Sequence, residues 1–307
     1  MKNFQPEGNL IVTAENAGYL KSPSALREAM ILGKTLEARA TVCDSEHNLI
    51  VDLQCMKGII PRTEGAIGIS EGTTRDIALI SRVNKPVCFK VLRIETKDNN
   101  QYAVLSRRMA QEECYERYIS GLRNGDIINA RVTHLEQFGA FVDIGCGIPS
   151  LIPIDAISVS RISHPSDRFS VGQYIKAIVS GENDGKICLT HKELLGTWQQ
   201  NADLFSAGET VAGTVRSIEE YGIFIELMPN LAGLAEPREN VQVGQNASVY
   251  IKALIPEKMK VKLIIVDVFD GGVTDKSLKY FVMDKHIDRW KYDTEGSAKN
   301  IETIFDN

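Results

Sequence analysis

The sequence predicts an all-β protein built from repeated small domains, and a duplicated strand segment is the main observation behind this prediction. Residues 138–144 read FGAFVDI, and residues 221–227, which begin 83 positions later, read YGIFIEL. The preceding segments, GDIINARV at 125–132 and GETVAGTV at 208–215, are offset by the same 83 positions. Because neighbouring strands keep their spacing, a whole unit is repeated. Its short alternating strands are typical of a small barrel or a sandwich.

Three copies of this unit can be followed along the chain, and each is expected to hold five short strands. The first copy is the faintest, and its first hairpin is slightly longer than that of the second copy. The clearest strands are 33–38, 49–53, 87–92 and 102–107 in the first copy, 125–132, 138–144, 174–179 and 186–190 in the second, and 208–215, 221–227, 247–253 and 260–264 in the third.

A helix is predicted ahead of each copy. The first helix has Ser22 as its N-cap, Pro23 in its first turn and Gly33 beyond its end. Residues 108–122 and 192–205 place apolar side chains at helical spacing. We expect these helices to plug the barrel ends and to set the spacing between domains.

The composition indicates a globular chain and argues against several functional classes. Its 307 residues give room for two or three domains, and 43% of them are hydrophobic while 24% are charged. No apolar run approaches the ~20 residues of a membrane-spanning helix. The N-terminus lacks the pattern of a secretory signal, so a cytoplasmic location is expected. The six cysteines are scattered without a CxxC pair, which predicts no zinc or other metal site.

No catalytic motif is visible in the sequence. It contains no Walker loop, no HExxH and no G-x-S-x-G, and its carboxylates are not clustered. We therefore predict a non-catalytic protein without a cofactor or a small-molecule substrate. The net charge of −5 argues against nucleic acid as a partner. Single-strand binders, however, can rely on stacking and a local basic groove.

The repeated elements resemble the RNA-binding repeat of ribosomal protein S-one, which is a five-stranded OB-fold. The resemblance is carried by the FGAFV hairpin, by the VGQ before the fourth strand and by the final KI-x-LT. Residues 124–193 fit this pattern closely, 207–268 fit it well and 33–109 fit it loosely. The chain is similar to a three-repeat bacterial S-one-like protein. This implies a tandem array of three OB-fold barrels joined by helical linkers.

The resemblance also implies the domain boundaries. An N-terminal segment with a short helix precedes a degenerate first repeat, and linker helices separate the three repeats. A C-terminal extension, which includes Trp290 and Tyr292, is expected to pack on repeat three or to be partly mobile. The predicted ranges are 1–32, 33–109, 110–123, 124–193, 194–206, 207–268 and 269–307.

Strand alternation predicts that two aromatic residues lie on accessible strand faces. Phe141 shares its face with Asp143, and Phe224 shares its face with Glu226. Carboxylates usually face solvent, so the aromatic beside each of them is expected to be accessible. Packing within the barrel is the alternative for these rings.

The resemblance assigns a role to four aromatics, which are expected to stack on the bases of single-stranded RNA across strands two and three. Gly139 permits a turn or bulge that re-aims the first of them. The four residues are Phe138 and Phe141 in repeat two, and Tyr221 and Phe224 in repeat three.

Two departures from the family pattern favour repeat two as the main site. In repeat one the positions of the aromatic pair fall near His47 and at Ile50, so that pair is missing. Family members often have a histidine twelve residues after the second aromatic. Here that place holds Pro153 in repeat two and Glu236 in repeat three, and a carboxylate there weakens phosphate binding.

Phosphate contacts are predicted from basic residues near the aromatic face. The loop 158–169 is cationic and rich in hydroxyl groups, and it follows strand three. Its alternative is a solvated loop in which Arg168 pairs with Asp167. His134 is expected to be structural, and Arg75, Arg82, Arg107 and Arg108 of repeat one are expected on a solvated face. The predicted phosphate-binding residues are Arg161, His164, Arg168, Lys186 and Lys260.

The sequence thus predicts non-catalytic binding of single-stranded RNA by repeats two and three. The resemblance implies a setting in translation, with messenger RNA and the small ribosomal subunit as partners and no membrane. The competing hypothesis is a protein-interaction scaffold that has lost RNA binding. Single-stranded DNA is a further alternative, because only use of the 2′-hydroxyl separates it from RNA.

Overall fold

Three closed five-stranded β-barrels dominate the structure and confirm the predicted all-β class. The computed structural model describes residues 4–97, 99–271, 278–297 and 300–306. The chain divides into two compact units. Unit 1 contains the residues up to Leu122 with Asn129–Arg131 and Asp143–Pro149, and unit 2 contains the rest. The strands therefore close into barrels, one of the two forms that the alternation pattern left open.

Barrel one lies in unit 1 behind two short helices. The Thr13 and Ser22 side chains cap these helices by accepting N–H bonds from Asn16 and Ala25. The barrel closes because its third and fifth strands pair in parallel, giving the order β1-β2-β3-β5-β4. The elements are α1 (Ala14–Leu20), α2 (Pro23–Ile31), β1 (Leu36–Cys43), β2 (Leu49–Asp52), β3 (Lys57–Ile60), α3 (Ile77–Ile80), β4 (Pro86–Lys97), β5 (Asn100–Ser106) and α4 (Arg107–Arg117).

Barrels two and three repeat this topology. In each of them the third strand pairs in parallel with the fifth. The strand orders are β10-β8-β7-β6-β9 and β11-β12-β13-β15-β14. Their elements are β6 (Ile127–Glu136), β7 (Gly139–Asp143), β8 (Pro149–Pro153), β9 (Tyr174–Asn183), β10 (Lys186–Thr190), α5 (Trp198–Ala202), β11 (Thr210–Glu219), β12 (Gly222–Met228), β13 (Leu231–Ala235), β14 (Asn246–Ile255) and β15 (Lys260–Phe269).

The segments between barrels contain less helix than the sequence predicts. The helix expected over 108–122 ends at Arg117 and continues as a 3₁₀ turn over Ile119–Gly121. The helix expected over 192–205 is a 3₁₀ turn followed by α5. The two are separated by Gly196, whose φ of +84° interrupts helical geometry.

The C-terminal segment packs within unit 2 and ends in a small hairpin, β16 (Arg289–Lys291) with β17 (Glu302–Ile304). Trp290 and Tyr292 are buried in the barrel-three core, and the Tyr292 hydroxyl donates to the Asn230 carbonyl at 2.6 Å. Asn230 is fully buried, and its amide group donates to the Lys192 and Gly196 carbonyls, each at 2.8 Å. Trp290 and Tyr292 are therefore packing residues and offer no stacking surface.

A buried ion pair anchors the N-terminal segment in unit 1. The Arg107 guanidinium donates to both carboxylate oxygens of Glu7, at 2.7 and 3.1 Å, and both side chains are buried. Burial opposes ionisation of Glu7, but the Arg107 charge holds the pKa of that carboxyl below its usual range. The predicted solvated position of Arg107 is therefore wrong, because its partner lies 100 residues away in the sequence.

Glu37 is a second buried carboxyl in unit 1. Its two oxygens accept the backbone N–H groups of Gly8 at 2.6 Å and Ile11 at 2.7 Å. Burial raises the pKa of Glu37 to about 7 because the ionised form loses its hydration, and the two N–H bonds only partly offset this loss.

We expect unit 1 to become more stable as the pH falls from about 8 to about 5. A carboxyl whose pKa is raised by folding costs stability when ionised. This cost is complete above the folded pKa of about 7 and disappears below the unfolded value of 4.5. Native-state hydrogen exchange of the β1–β5 amides should report opening free energies ~1–3 kcal/mol higher at the lower pH. The Glu37→Gln variant should lose the part of this increase that Glu37 causes, while the part caused by Asp143, whose pKa burial also raises to about 7, should remain. An unchanged pH dependence would contradict the assignment to Glu37.

Candidate nucleic-acid interface

Three rings form an accessible cluster on barrel two, the barrel-two patch, which consists of His134, Phe138 and Phe141. Phe138 lies in the turn between β6 and β7 and is 57% exposed, while Phe141 on β7 is half-buried. The two phenyl centroids lie 5.9 Å apart with the rings perpendicular, at 88°. The His134 ring stacks on Phe141 at 6.4 Å with an interplanar angle of 29°. The patch therefore presents the Phe138 ring beside the stacked pair of His134 and Phe141.

Local backbone contacts place the two phenylalanines. A Cβ at Gly139 would lie 2.5 Å from the Ile152 carbonyl oxygen, so only glycine allows β8 to approach this closely. The Phe138 carbonyl accepts the Ile154 N–H at 2.9 Å, and the Thr133 hydroxyl donates to the Phe141 carbonyl at 3.2 Å. These contacts fix the turn so that Phe138 points away from the barrel interior.

His134 belongs to the accessible surface, contrary to its predicted structural role. Its side chain is 63% exposed, and its imidazole hydrogen-bonds with the Glu136 carboxylate at 2.5 Å. Strand alternation would place His134 on the face of the buried Val132, so its exposure departs from the alternation of β6 and could not be read from the sequence. Its contact with Phe141 depends on the pairing of β6 with β7, which a single strand does not reveal.

Barrel three carries the matching barrel-three patch, formed by Tyr221 and Phe224. Tyr221 is 67% exposed, and the two ring centroids lie 6.2 Å apart with the rings at 89°. The geometry of the barrel-two pair is thus repeated closely. Ser217, opposite Phe224 in the β11–β12 register, stands in the place of His134. The barrel-three patch therefore has two rings where the barrel-two patch has three.

Strand register extends the barrel-three patch to Lys262 on β15. Phe224 pairs with Leu234 across β12 and β13, and Leu234 pairs with Lys262 across β13 and β15. Lys262 and Lys260 both point outward from β15 and are exposed. In barrel two, Cys188 faces Leu151 at the place of Lys262. Phe224 thus shares a row of the sheet with a cation, whereas the corresponding place in barrel two holds a cysteine.

The two carboxylates that were predicted on the wet face are in fact buried. Asp143 is 2% exposed, and it accepts N–H bonds from Glu7 at 2.7 Å, Gly145 at 2.8 Å and Gly147 at 3.0 Å. Glu226 is 8% exposed and binds two arginines. The prediction that these carboxylates face solvent is wrong, because each has buried donors that come from elsewhere in the chain. Accessibility of the aromatics therefore rests on their own observed exposure.

Arg168 does not lie on the accessible surface either. It is 4% exposed, and its guanidinium donates to the Glu226 carboxylate and to the Ser158 hydroxyl. Burial lowers the pKa of Arg168, although the Glu226 charge opposes this shift. Glu226 also accepts two bonds from Arg216, each 3.0 Å long. The structure contradicts the predicted phosphate contact of Arg168 and assigns it to an internal ion-pair network.

The other predicted phosphate-binding residues differ in whether they already have a bonding partner. Arg161 in the 158–169 loop is exposed, as are Lys186 at the start of β10 and Lys260 at the start of β15. None of these three forms an ion pair with another residue in the described part of the chain. His164 caps a 3₁₀ turn: its Nδ1 accepts the Ser166 N–H at 3.1 Å. Arg161, Lys186 and Lys260 are therefore available to an anion, and His164 is partly engaged.

Barrel one has no comparable patch at the matching positions. His47 lies in the β1–β2 turn with a φ of +63°, and Ile50 is half-buried on β2. Barrel one consequently lacks a pair of exposed rings at this place.

Comparison with known proteins adds a family assignment to this geometry. Residues 122–192, which span all five strands of barrel two, match the family model described as the S1 RNA binding domain. The chain is an S1-like protein. The matched range is nearly the same as the segment 124–193, in which the sequence most closely resembles the S-one repeat.

Curated relatives of this S1-like chain match most of its length. The small ribosomal subunit protein bS1 of Leuconostoc lactis is 28% identical over 249 residues, covering 75% of this chain and 56% of that protein. The bS1 protein of Staphylococcus aureus strain COL is 27% identical over 276 residues, covering 84% and 68%. Among solved structures, GSP13 from Bacillus subtilis matches 28% of this chain and 73% of its own at 22% identity, with a TM-score of 0.23. The chain spans just over half the length of the Leuconostoc protein.

The described residues show neither a membrane-spanning helix nor a metal-binding group. Across 4–97, 99–271, 278–297 and 300–306, no helix is long and apolar enough to cross a membrane. The same residues contain no group of three or more histidine, cysteine or acidic side chains arranged to hold a metal ion.

Proposed function

We propose that this S1-like chain binds single-stranded RNA through the barrel-two and barrel-three patches. The observation that carries the proposal is the repeated ring pair, Phe138 with Phe141 and Tyr221 with Phe224, in nearly identical perpendicular geometry. One member of each pair is more than half exposed. Covering an exposed ring with a flat base is favourable because it removes apolar surface from water. The repetition of the ring pair on two barrels argues against chance exposure.

Stacking supplies the main attraction in this proposal. A base that covers an aromatic ring contributes ~1–3 kcal/mol and shows little sequence preference, because every base has a π-face. The three-ring patch makes barrel two the stronger site. In barrel three the row from Phe224 through Leu234 to Lys262 supplies a cation two strands from Phe224.

Phosphate groups are held in this proposal by exposed cations around the patches. Arg161 and Lys186 serve barrel two, and Lys260 and Lys262 serve barrel three. Such contacts position the backbone without reading sequence. They also reconcile RNA binding with the net charge of −5, since local cations rather than the total charge meet the ligand.

The wider role that we propose is non-catalytic and lies in translation. It rests on the names of the relatives, which are small ribosomal subunit proteins. On this proposal the three barrels are OB-fold repeats, messenger RNA is the ligand, the small ribosomal subunit is a partner and the location is cytoplasmic. Two binding barrels on one chain raise the effective concentration of the second site once the first is occupied.

The test is the anisotropy of a labelled unstructured RNA titrated with the full chain at low and at moderate salt. We expect binding that weakens with salt, because each phosphate contact releases counterions. The same sequence as DNA reveals whether the 2′-hydroxyl is used. Absence of binding at low salt would overturn the proposal and favour the protein-scaffold hypothesis, with which the exposed Glu236 at the family's histidine position is consistent.

A further inference from the structure

Unit 1 contains four cations that the aromatic patches do not explain. We call Arg39, Arg82, Lys85 and Arg131 the unit-1 cation cluster. Arg39 and Lys85 are exposed, while Arg82 and Arg131 are half-buried. The four side chains come from three separate parts of the chain, so the fold and not a basic run in the sequence brings them together.

Backbone contacts place three of these cations side by side. Lys85 N–H donates to the Arg82 carbonyl at 2.9 Å, which puts both side chains on one turn ahead of β4. The Ala40 N–H donates to the Lys85 carbonyl at 3.0 Å, which places Arg39 on the adjoining strand β1. The Arg39 guanidinium also donates to the Asn84 carbonyl. The turn before β4 and the strand β1 therefore bring Arg82, Lys85 and Arg39 next to one another.

Arg131 reaches the same place through the N-terminal segment. Its Nη1 donates to the Glu7 carbonyl at 2.9 Å, and the Arg82 Nη1 lies 3.3 Å from the Glu7 carboxylate. Because Glu7 contacts both Arg82 and Arg131, it places Arg131 beside the other three cations.

Two carboxylates lie beside Arg82 and Arg39. The Glu7 carboxylate already forms the buried pair with Arg107 at 2.7 Å, and its contact with Arg82 is longer, at 3.3 Å. Asp52 faces Arg39 across the β1–β2 register. Burial and the positive charges of Arg82 and Arg131 lower the pKa of Lys85. The Arg82 Nε atom is buried and has no hydrogen-bond partner in the described part of the chain. An anion at this place would relieve the repulsion.

We propose that the unit-1 cation cluster binds phosphate groups of the single-stranded RNA backbone. This inference rests on the proposed function and adds a contact site in the unit whose barrel lacks the ring pair. Guanidinium groups match phosphate oxygens in pairs, and an ammonium adds a point charge. The exposed Arg39 and Lys85 contact the phosphate groups, and the half-buried Arg82 and Arg131 add positive charge beside them. Barrel one thereby positions RNA without reading its bases.

The test compares salt dependence between two matched double variants of the full chain. Arg39→Gln/Lys85→Gln removes the two exposed members of the cluster. Lys21→Gln/Arg27→Gln removes the same charge from exposed positions at the end of α1 and on α2. If the cluster holds two phosphates, the slope of log affinity against log salt should fall by about 1.4 in the first variant, from about 0.7 per contact on a single strand. The control slope should stay at the wild-type value.

The outcomes separate this inference from the proposed function. Equal slopes in the two variants, with the wild type still binding RNA, overturn the cluster alone. A wild type that binds no RNA overturns both proposals. Titration with inorganic pyrophosphate, followed by NMR of the Lys85 ammonium, identifies the source of the phosphate. A rise in the Lys85 pKa with pyrophosphate but no slope change with RNA would assign the cluster to a free phosphate ligand and overturn the RNA assignment.

Discussion

Replacing Phe138 and Phe141 together by alanine is expected to weaken RNA binding by ~2–4 kcal/mol, because two stacked bases lose their platform. This loss corresponds to a roughly 30- to 1,000-fold rise in Kd. Phe138 should contribute through its exposed face, and Phe141 through the surface that it forms with His134. Anisotropy with a labelled unstructured RNA, at one fixed salt concentration, measures the change directly.

Two controls make the result of this double substitution specific. Tyr115→Ala removes an exposed aromatic from α4, outside both patches, and should leave the affinity unchanged. Thermal unfolding of the Phe138→Ala/Phe141→Ala variant checks that the loss is not caused by unfolding, since Phe141 is half-buried. A folded variant that binds RNA as tightly as the wild type would contradict stacking on barrel two.

Replacing Arg168 by methionine is expected to lower the stability of unit 2 by about 3 kcal/mol, near the low end of values for a broken buried ion pair. The loss arises because Glu226 stays buried after its partner is removed, while Arg216 continues to offset part of its charge. Urea unfolding followed by tryptophan fluorescence suits this measurement, because Trp198 and Trp290 both lie in the barrel-three core cluster.

Arg161→Gln in the same loop is the matched control for Arg168→Met. Arg161 is exposed, so its loss should leave the unfolding free energy within about 0.5 kcal/mol of wild type. The salt slope of RNA binding should instead fall by about 0.7, as expected for one phosphate contact. If Arg168→Met were as stable as the wild type and reduced the salt slope, the assignment of Arg168 to the ion-pair network would be wrong.

The sequence by itself determined the fold class and the repeat, whereas alternation selected Phe141 and Phe224 as the accessible aromatics, and both are half-buried. Alternation over short segments predicts strands, and a constant offset of 83 residues predicts a repeated unit. Both signals are local or periodic patterns in the sequence, so they can be recognised without knowing which distant residues meet in the fold. Phe138 and Tyr221 share a position in the repeated motif, and both are among the most exposed aromatics of the structure. Their place beside Gly139 and Gly222, where β-strands approach closely, is also local in the chain.

Only the tertiary structure decided which charged groups face the solvent. Alternation predicted exposed carboxylates at 143 and 226, yet both find buried donors that are remote in sequence, 136 residues away for Asp143 and 58 for Glu226. The stacking of His134 on Phe141 and the row that ends at Lys262 depend on strand pairing. The unit-1 cation cluster likewise depends on three segments meeting. Alternation indicates the side of a strand on which a residue lies. Whether a charged side chain is buried or exposed depends on which distant partner the fold places beside it.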